Sequence, residues 1–187
     1  MKLLIASDLH GCAPAARELA ARVDEFAPER ILLLGDLLYH GPRNDLPTGY
    51  APKEVIPILN GWAAHVVAVR GNCDAEVDQM VLDFPCRADS VELQVDGRLF
   101  FLSHGHLDGM TRDDPPRLAP GSVFLSGHTH VKVLAWRGGV LHVNPGSTSL
   151  PKDGSPGYAT YEDGVFALRA LDGTVLRTLP LSSTARV

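Results

Sequence analysis

Five short apolar runs in this chain each end on a residue of a type that can bind a metal ion. Residues 3–7 lead into Asp8, residues 31–34 into Gly35-Asp36, and residues 65–69 into Gly71-Asn72. Residues 99–103 lead into His104, and residues 122–125 into Gly127-His128. Short apolar runs without polar alternation read as strands buried on both faces. In open α/β sheets such strands present their functional residues at their carboxyl ends. The pattern therefore predicts strands that share one edge, with ligand-type side chains gathered along it.

The rest of the chain supports a layered architecture. The first half alternates strand and helix, with helices expected over residues 13–26 and 52–62 and a Pro/Gly-rich loop over residues 38–51 between them. The second half reads as hairpins. Asp96-Gly97 is a strong two-residue turn signal, and residues 131–136 and 140–143 flank Arg137-Gly138-Gly139. Further strands around residues 158–161, 165–171 and 175–179 are separated by Asp163-Gly164 and Asp172-Gly173. Residues 108–120, rich in Asp and Pro, read as loop with room for one helical turn. A βαβ half joined to a hairpin half predicts an α/β sandwich of two sheets face to face with helices outside. One domain over residues 1–187 is the simplest division.

Composition narrows the function classes. A net charge of −5 argues against a surface that tracks extended nucleic acid. It leaves a small phosphoester open, because bound metals reverse the local potential. No apolar run approaches the length of a membrane span, and the start, MKLLIASDLHG, lacks a signal-peptide h-region. Three cysteines (Cys12, Cys73, Cys86) fit a reducing compartment better than a disulfide framework, so a cytoplasmic protein is expected.

The ligand-type residues number seven: Asp8, His10, Asp36, Asn72, His104, His128 and His130. Each is ordinary alone, since an Asp after a strand usually caps or turns and an Asn usually turns. Their shared edge is what makes a site. Asp8 and His10 are two apart, as are His128 and His130, and in extended backbone such pairs share a side. The glycines before Asp36, Asn72 and His128 permit close backbone approach. Oxygen and imidazole donors without thiolate suit Mn²⁺, Zn²⁺, Fe²⁺ or Ni²⁺ better than Ca²⁺. The set is the right size for two divalent ions about 3.5–4 Å apart, a device for in-line attack on phosphorus.

These residues resemble the calcineurin-like metallophosphoesterase pattern: Asp-x-His, Gly-Asp, Gly-Asn, a His, then Gly-His-x-His. The chain is similar in more detail to the YfcE-type bacterial phosphodiesterases. The further matches are His40-Gly41-Pro42-Arg43-Asn44, Arg70-Gly71-Asn72-Cys73-Asp74, Ser103-His104-Gly105-His106 and Asn144-Pro145-Gly146-Ser147. The resemblance implies a four-layer α/β/β/α sandwich, two mixed sheets with flanking helices. It implies one ion held by Asp8, His10, Asp36 and His130, and a second held by Asp36, Asn72, His104 and His128. A manganese-activated phosphodiesterase acting by a metal-bridging hydroxide is expected, often oligomeric as a dimer or tetramer.

The wider pattern carries a His after Gly-Asn, where it assists the leaving oxygen. Cys73 stands there in this chain. A thiol protonates an alkoxide poorly, which favours diesters with good leaving groups, and the bland reading makes Cys73 a buried structural residue. Around the ligands, His106 and Asp74 are the candidates for catalysis; Asp74 is read as orienting a metal ligand or binding the leaving-group water, with a helix N-cap as the plain alternative. His40, Arg43 and Asn72 are the candidates for substrate contact. Asn144-Pro145-Gly146-Ser147 is expected to shape the pocket floor, and His65 and His142 to be structural residues inside strands. Rival readings are a non-catalytic scaffold of the retromer-subunit kind, a phosphomonoesterase and a nuclease of the same fold.

Overall fold

The apolar run at the start of the chain becomes β1 (Leu3–Ala6), whose four side chains are all buried. Leu4 and Ala6 point to one side and Leu3 and Ile5 to the other, into two separate cores. A strand with both faces covered has no polar positions to spare, which is why the run lacks alternation. The computed structural model describes residues 1–182.

The first core lies between one sheet and two helices, α1 (Ala13–Phe26) and α2 (Pro52–Asn60). Helix α1 begins with a proline in its first turn and buries Ala16, Leu19 and Val23 at helical spacing. The first sheet runs β11-β10-β9-β1-β2-β3, where β2 is Arg30–Leu33, β3 is Val66–Ala68, β9 is Gly157–Glu162, β10 is Val165–Ala170 and β11 is Val175–Pro180. Strands β1, β2 and β3 are parallel, and the others pair antiparallel.

The second sheet runs β4-β5-β6-β8-β7, with β4 at Ser90–Val95, β5 at Arg98–Ser103, β6 at Val123–Leu125, β7 at Val133–Arg137 and β8 at Val140–Asn144. It is also mixed: β5, β6 and β8 are parallel and both edges are antiparallel. The turns Asp96-Gly97, Gly138-Gly139 and Asp163-Gly164 have positive φ at both residues, the hairpin geometry that matches strand twist. The sheets meet over Phe100, Leu102, Val123 and Leu125 from the second and Leu3, Ile5, Tyr161 and Phe166 from the first. The rings of Phe100, Tyr161 and Phe166 lie 4.7–5.7 Å apart. Burying each such side chain contributes about 1.5–3 kcal/mol.

The sandwich of two mixed sheets is as expected, with few helices around it. Among the described residues both α-helices lie on the first sheet. The outer face of the second sheet carries the loop of residues 108–120, tied down by Arg137 Nη1 donating to the Arg112 carbonyl at 3.4 Å. Pro115, Pro116 and Pro120 withhold the N–H groups a helix there would need. His65 lies one residue before β3, exposed, and not inside a strand. No helix among the described residues is long and apolar enough to cross a membrane.

Candidate metal centre

Both sheets supply the site. Asp8, His10, Asp36 and Asn72 follow β1, β2 and β3, while His104, His128 and His130 follow β5 and β6. The centre therefore exists only when the sheets are packed face to face. Asp8, His10 and His104 are fully buried, and Asp36 and His130 are within 3 % of it.

Each of the three buried imidazoles is fixed by its Nδ1. That of His10 faces the Tyr39 carbonyl at 2.9 Å, that of His104 the Leu34 carbonyl at 2.6 Å, and that of His130 the Leu150 carbonyl at 2.6 Å. A carbonyl only accepts, so Nδ1 carries the proton and a neutral ring presents the Nε2 lone pair. Those lone pairs converge. His10 Nε2 and His130 Nε2 are 3.2 Å apart, and Asp8 Oδ1 lies 3.8 and 3.2 Å from them. His104 Nε2 lies 3.2 Å from Asn72 Oδ1 and 3.4 Å from Asp36 Oδ2. Asp36 Oδ2 is also 3.7 Å from His10 Nε2, and Asp8 Oδ1 is 3.9 Å from His104 Nε2, so both carboxylates reach both groups.

The facing nitrogens of His10 and His130 repel as lone pairs unless a cation sits between them, while at His104 a proton shared with Asp36 fills that role. Donors bound to one ion at about 2.0–2.2 Å stand about 3–3.5 Å apart. Asp8 Oδ1 is buried with no hydrogen-bond donor, which is how a carboxylate oxygen awaiting a cation looks. Two of the donor groups within ligand reach of one another are Asp8, His10 and His130, and Asp8, Asp36 and His104. Burial alone would raise Asp8 and Asp36, but the His104 imidazole beside them holds both carboxyls low. His104 in turn is pushed down by burial and held up at about 9 by Asp36 and Asp8. A divalent ion would take the place of that proton, so the donor set fits metal.

The backbone at the ligands is unusual. Asp8, His10, Asp36, His128 and His130 all have φ between 48° and 66°. Asp and His tolerate this left-handed region better than most residues. Each such residue costs about 1–3 kcal/mol, and the surrounding bonds must hold it there. The pairing of Asp8 with His10, and of His128 with His130, thus comes from left-handed turns and not from the pleat of an extended strand as the spacing suggested. A Cβ at Gly71 would collide with the Asp36 carboxylate, and one at Gly127 with Ser7 and Asp8 Oδ2.

Polar side chains brace these turns. Asp74 accepts N–H bonds from Asp36 and Gly71 on one oxygen and from Leu37 on the other, at 2.7–2.8 Å. Burial and the Asp36 charge push its carboxyl up to about 6 against those three bonds. With both oxygens engaged by backbone N–H groups, Asp74 caps no helix, and the bonds match the reading in which it orients the turn of a ligand. Cys73 N–H donates to Asp36 Oδ1 at 2.8 Å, and His128 N–H to Asp8 Oδ2 at 3.0 Å. Asn144 Nδ2 donates to the Gly127 carbonyl at 2.8 Å, and the hydroxyls of Ser147 and Ser149 donate to the Asp8 carbonyl at 2.7 and 3.0 Å. The segment expected to form the pocket floor is thus a buried brace behind two ligand turns.

A cavity of about 360 Å³ opens over the centre, lined by Asp36, Asn72, His128 and His130 and by Arg43. Asn44, Cys73, Thr129 and Lys152 line it too. Thr129 and Asn44 lie within motifs read from the sequence without being singled out. Lys152 carried no signal; its N–H donates to the His130 carbonyl at 3.0 Å, a contact that depends on the fold. Cys73 is half-buried in this wall, not in the core, and accepts from Asn72 Nδ2 at 3.1 Å. Burial and the Asp36 carboxylate push its thiol well up, so it stays neutral.

Two expected contacts fall elsewhere. His40 is outside the cavity wall, its ring edge-on to Tyr39 and Tyr50 with centroids 4.7 and 5.2 Å away. Its carbonyl accepts from Asn44 Nδ2 at 2.8 Å, so it shapes the loop that carries Arg43. His106 is also outside the wall, its centroid 5.3 Å from that of His104 and 6.1 Å from that of His128. His142 is buried in β8, as expected of a structural residue.

The chain is similar to known proteins along most of its length. Residues 1–163 match the model of the calcineurin-like phosphoesterase superfamily domain. The chain is 44% identical to the phosphodiesterase YfcE of Escherichia coli K12 over 173 residues, covering 92% of this chain and 93% of that protein. It superposes on the solved structure of that phosphoesterase with a TM-score of 0.92 and 42% identity, covering 97% of this chain and all of the other. Vps29 of Entamoeba histolytica, solved with zinc, shares the fold at a TM-score of 0.65 and 20% identity, over 97% of this chain and 99% of that one.

Proposed function

The chain belongs to the calcineurin-like phosphoesterase superfamily, and from that premise we propose that it is a two-metal phosphodiesterase that hydrolyses small phosphate diesters. The observation that carries this reading is the convergence of imidazole nitrogens and carboxylate oxygens into two adjoining groups that share carboxylates. Asp8, His10, Asp36 and His130 would hold one ion, and Asp36, Asn72, His104 and His128 the other. Divalent ions there would supply Lewis acidity toward a phosphoryl oxygen and acidify a water. The donor chemistry suits manganese, and zinc, iron and nickel satisfy the same set.

The chain's own residues set the substrate. Arg43 and Lys152 on the cavity wall present cationic donors to the non-bridging oxygens, and a guanidinium can do so bidentately. The neutral Cys73 thiol is a weak acid, so the leaving group departs with little help. That supports diesters whose leaving group is stable as an anion, such as aryl diesters. Cys12, Cys73 and Cys86 are all free thiols, which supports a reducing compartment, the cytoplasm.

The test is to strip the protein of metal, restore Mn²⁺, and compare bis(4-nitrophenyl) phosphate with 4-nitrophenyl phosphate. Diester turnover that depends on the metal and exceeds monoester turnover is expected. Faster monoester hydrolysis would make it a phosphomonoesterase, and metal binding without turnover of either would make it a scaffold.

A further inference from the structure

A second cavity, of about 340 Å³, lies on the far side of the second sheet from the sheet–sheet core. Its wall is formed by the loop of residues 108–120 and by outward-facing residues of β6, β7 and β8. The volume is that of a small-molecule site. On the strand side Phe124 and His142 are stacked, with centroids 4.9 Å apart and planes 18° from parallel. Leu118 closes it from the loop side. Arg112, Arg117 and Arg137 complete the wall, all three exposed to solvent at its mouth.

The charge of this cavity is one-sided. No carboxylate among the described residues lines it. The arginine ion pairs of the described residues belong to Arg17, Arg22, Arg70 and Arg87, and to none of these three. Three unpaired guanidinium groups around one opening are out of character for a chain of net charge −5. With no carboxylate beside them, the field at the opening favours an anion. His142 adds no fourth charge. Its Nε2 is hydrogen-bonded with Ser126 Oγ at 2.8 Å, and burial, then Arg137 and Arg112, push it down to about 4. The base of the cavity is therefore aromatic and neutral beneath a cationic rim, with the Phe124 and His142 rings packed against each other and only slightly exposed.

We propose that this cavity binds a small aromatic anion, its ring lying between Leu118 and the Phe124–His142 stack and its carboxylate, sulfonate or phosphate held by the arginines at the mouth. Aromatic rings favour stacked or edge-on neighbours, and guanidinium forks match planar or tetrahedral oxyanions. The site is separate from the phosphoester cavity and shares no lining residue with it.

The test is calorimetric titration with naphthalene-2-sulfonate, which contains no phosphoester bond, beside its uncharged sulfonamide. The sulfonate should bind with one site per chain, and the sulfonamide at least about ten-fold more weakly, the loss of one charge-assisted contact. The double variant Arg112→Gln/Arg117→Gln should weaken the sulfonate by a similar factor, keep normal diester turnover, and fold, because both side chains are at the surface and Arg137 keeps its bond to the loop. Arg43→Ala, in the other cavity, should leave sulfonate binding unchanged. The His142 ring resonances should shift on sulfonate addition in the parent protein. Equal binding of sulfonate and sulfonamide, unchanged affinity in the double variant, loss of binding in Arg43→Ala, unshifted His142 signals, or no binding at millimolar probe would each overturn the proposal.

Discussion

At the floor of the proposed metal centre Asp8, His10, Asp36, His104 and His130 are at most 3 % exposed, whereas at its mouth Asn72, Arg43 and Lys152 are open to solvent and Cys73 and His128 half-buried. The two regions are held differently. Each floor imidazole is pinned through Nδ1 to a backbone carbonyl. His128 is held instead by its backbone N–H to Asp8 Oδ2 and by ring contacts with His104 and His106. A pinned, dry floor is preorganised for ions and gains nothing from adjusting. A wet mouth can fit its side chains to substrates of different shape. The difference suggests that changes at the floor act on turnover and changes at the mouth act on substrate affinity.

The largest expected effect comes from Asp36→Asn, which removes a carboxylate shared by both donor groups. Losing several kcal/mol of charge stabilisation should lower kcat by about 10³-fold or more. A loss under ten-fold would break the distinction drawn for the floor. Asp74→Asn comes next, because its amide places a donor against backbone N–H groups that need an acceptor. Its kcat and metal affinity should fall about 10–100-fold with KM nearly unchanged. A KM effect of equal size would mean Asp74 meets substrate. The smallest effect is expected at the mouth: Arg43→Ala should raise KM about ten-fold while kcat holds, as for one lost charge-assisted contact. A fall in kcat alone would show that the mouth takes part in the chemistry.

Much of this was legible from strand ends. The buried runs, the hairpin turns at Asp96-Gly97 and Asp163-Gly164 and the ligand-type residue closing each strand are local features, and local periodicity reports them. What stayed hidden depends on contacts between distant segments. The left-handed turn at His128 rests on a bond to Asp8, 120 residues away. Asp74 looked like a cap because nothing near it shows that the Asp36 and Leu37 N–H groups come within its reach. His40 is drawn away from the cavity by two tyrosine rings, one of them ten residues on. Lys152 reaches the mouth because the chain after Ser147 is folded back against His130. The outer layer over the second sheet was readable as loop from its prolines, but its cationic rim required Arg137 of β7 to meet Arg112 and Arg117 in space.

The central claim, two ions joined through Asp36, is tested most directly by counting them. Metal-free protein titrated with Mn²⁺ in a calorimeter, with elemental analysis of the loaded product, should bind two ions per chain, and His104→Ala should retain one. One ion in the parent chain, or two in His104→Ala, would contradict the account.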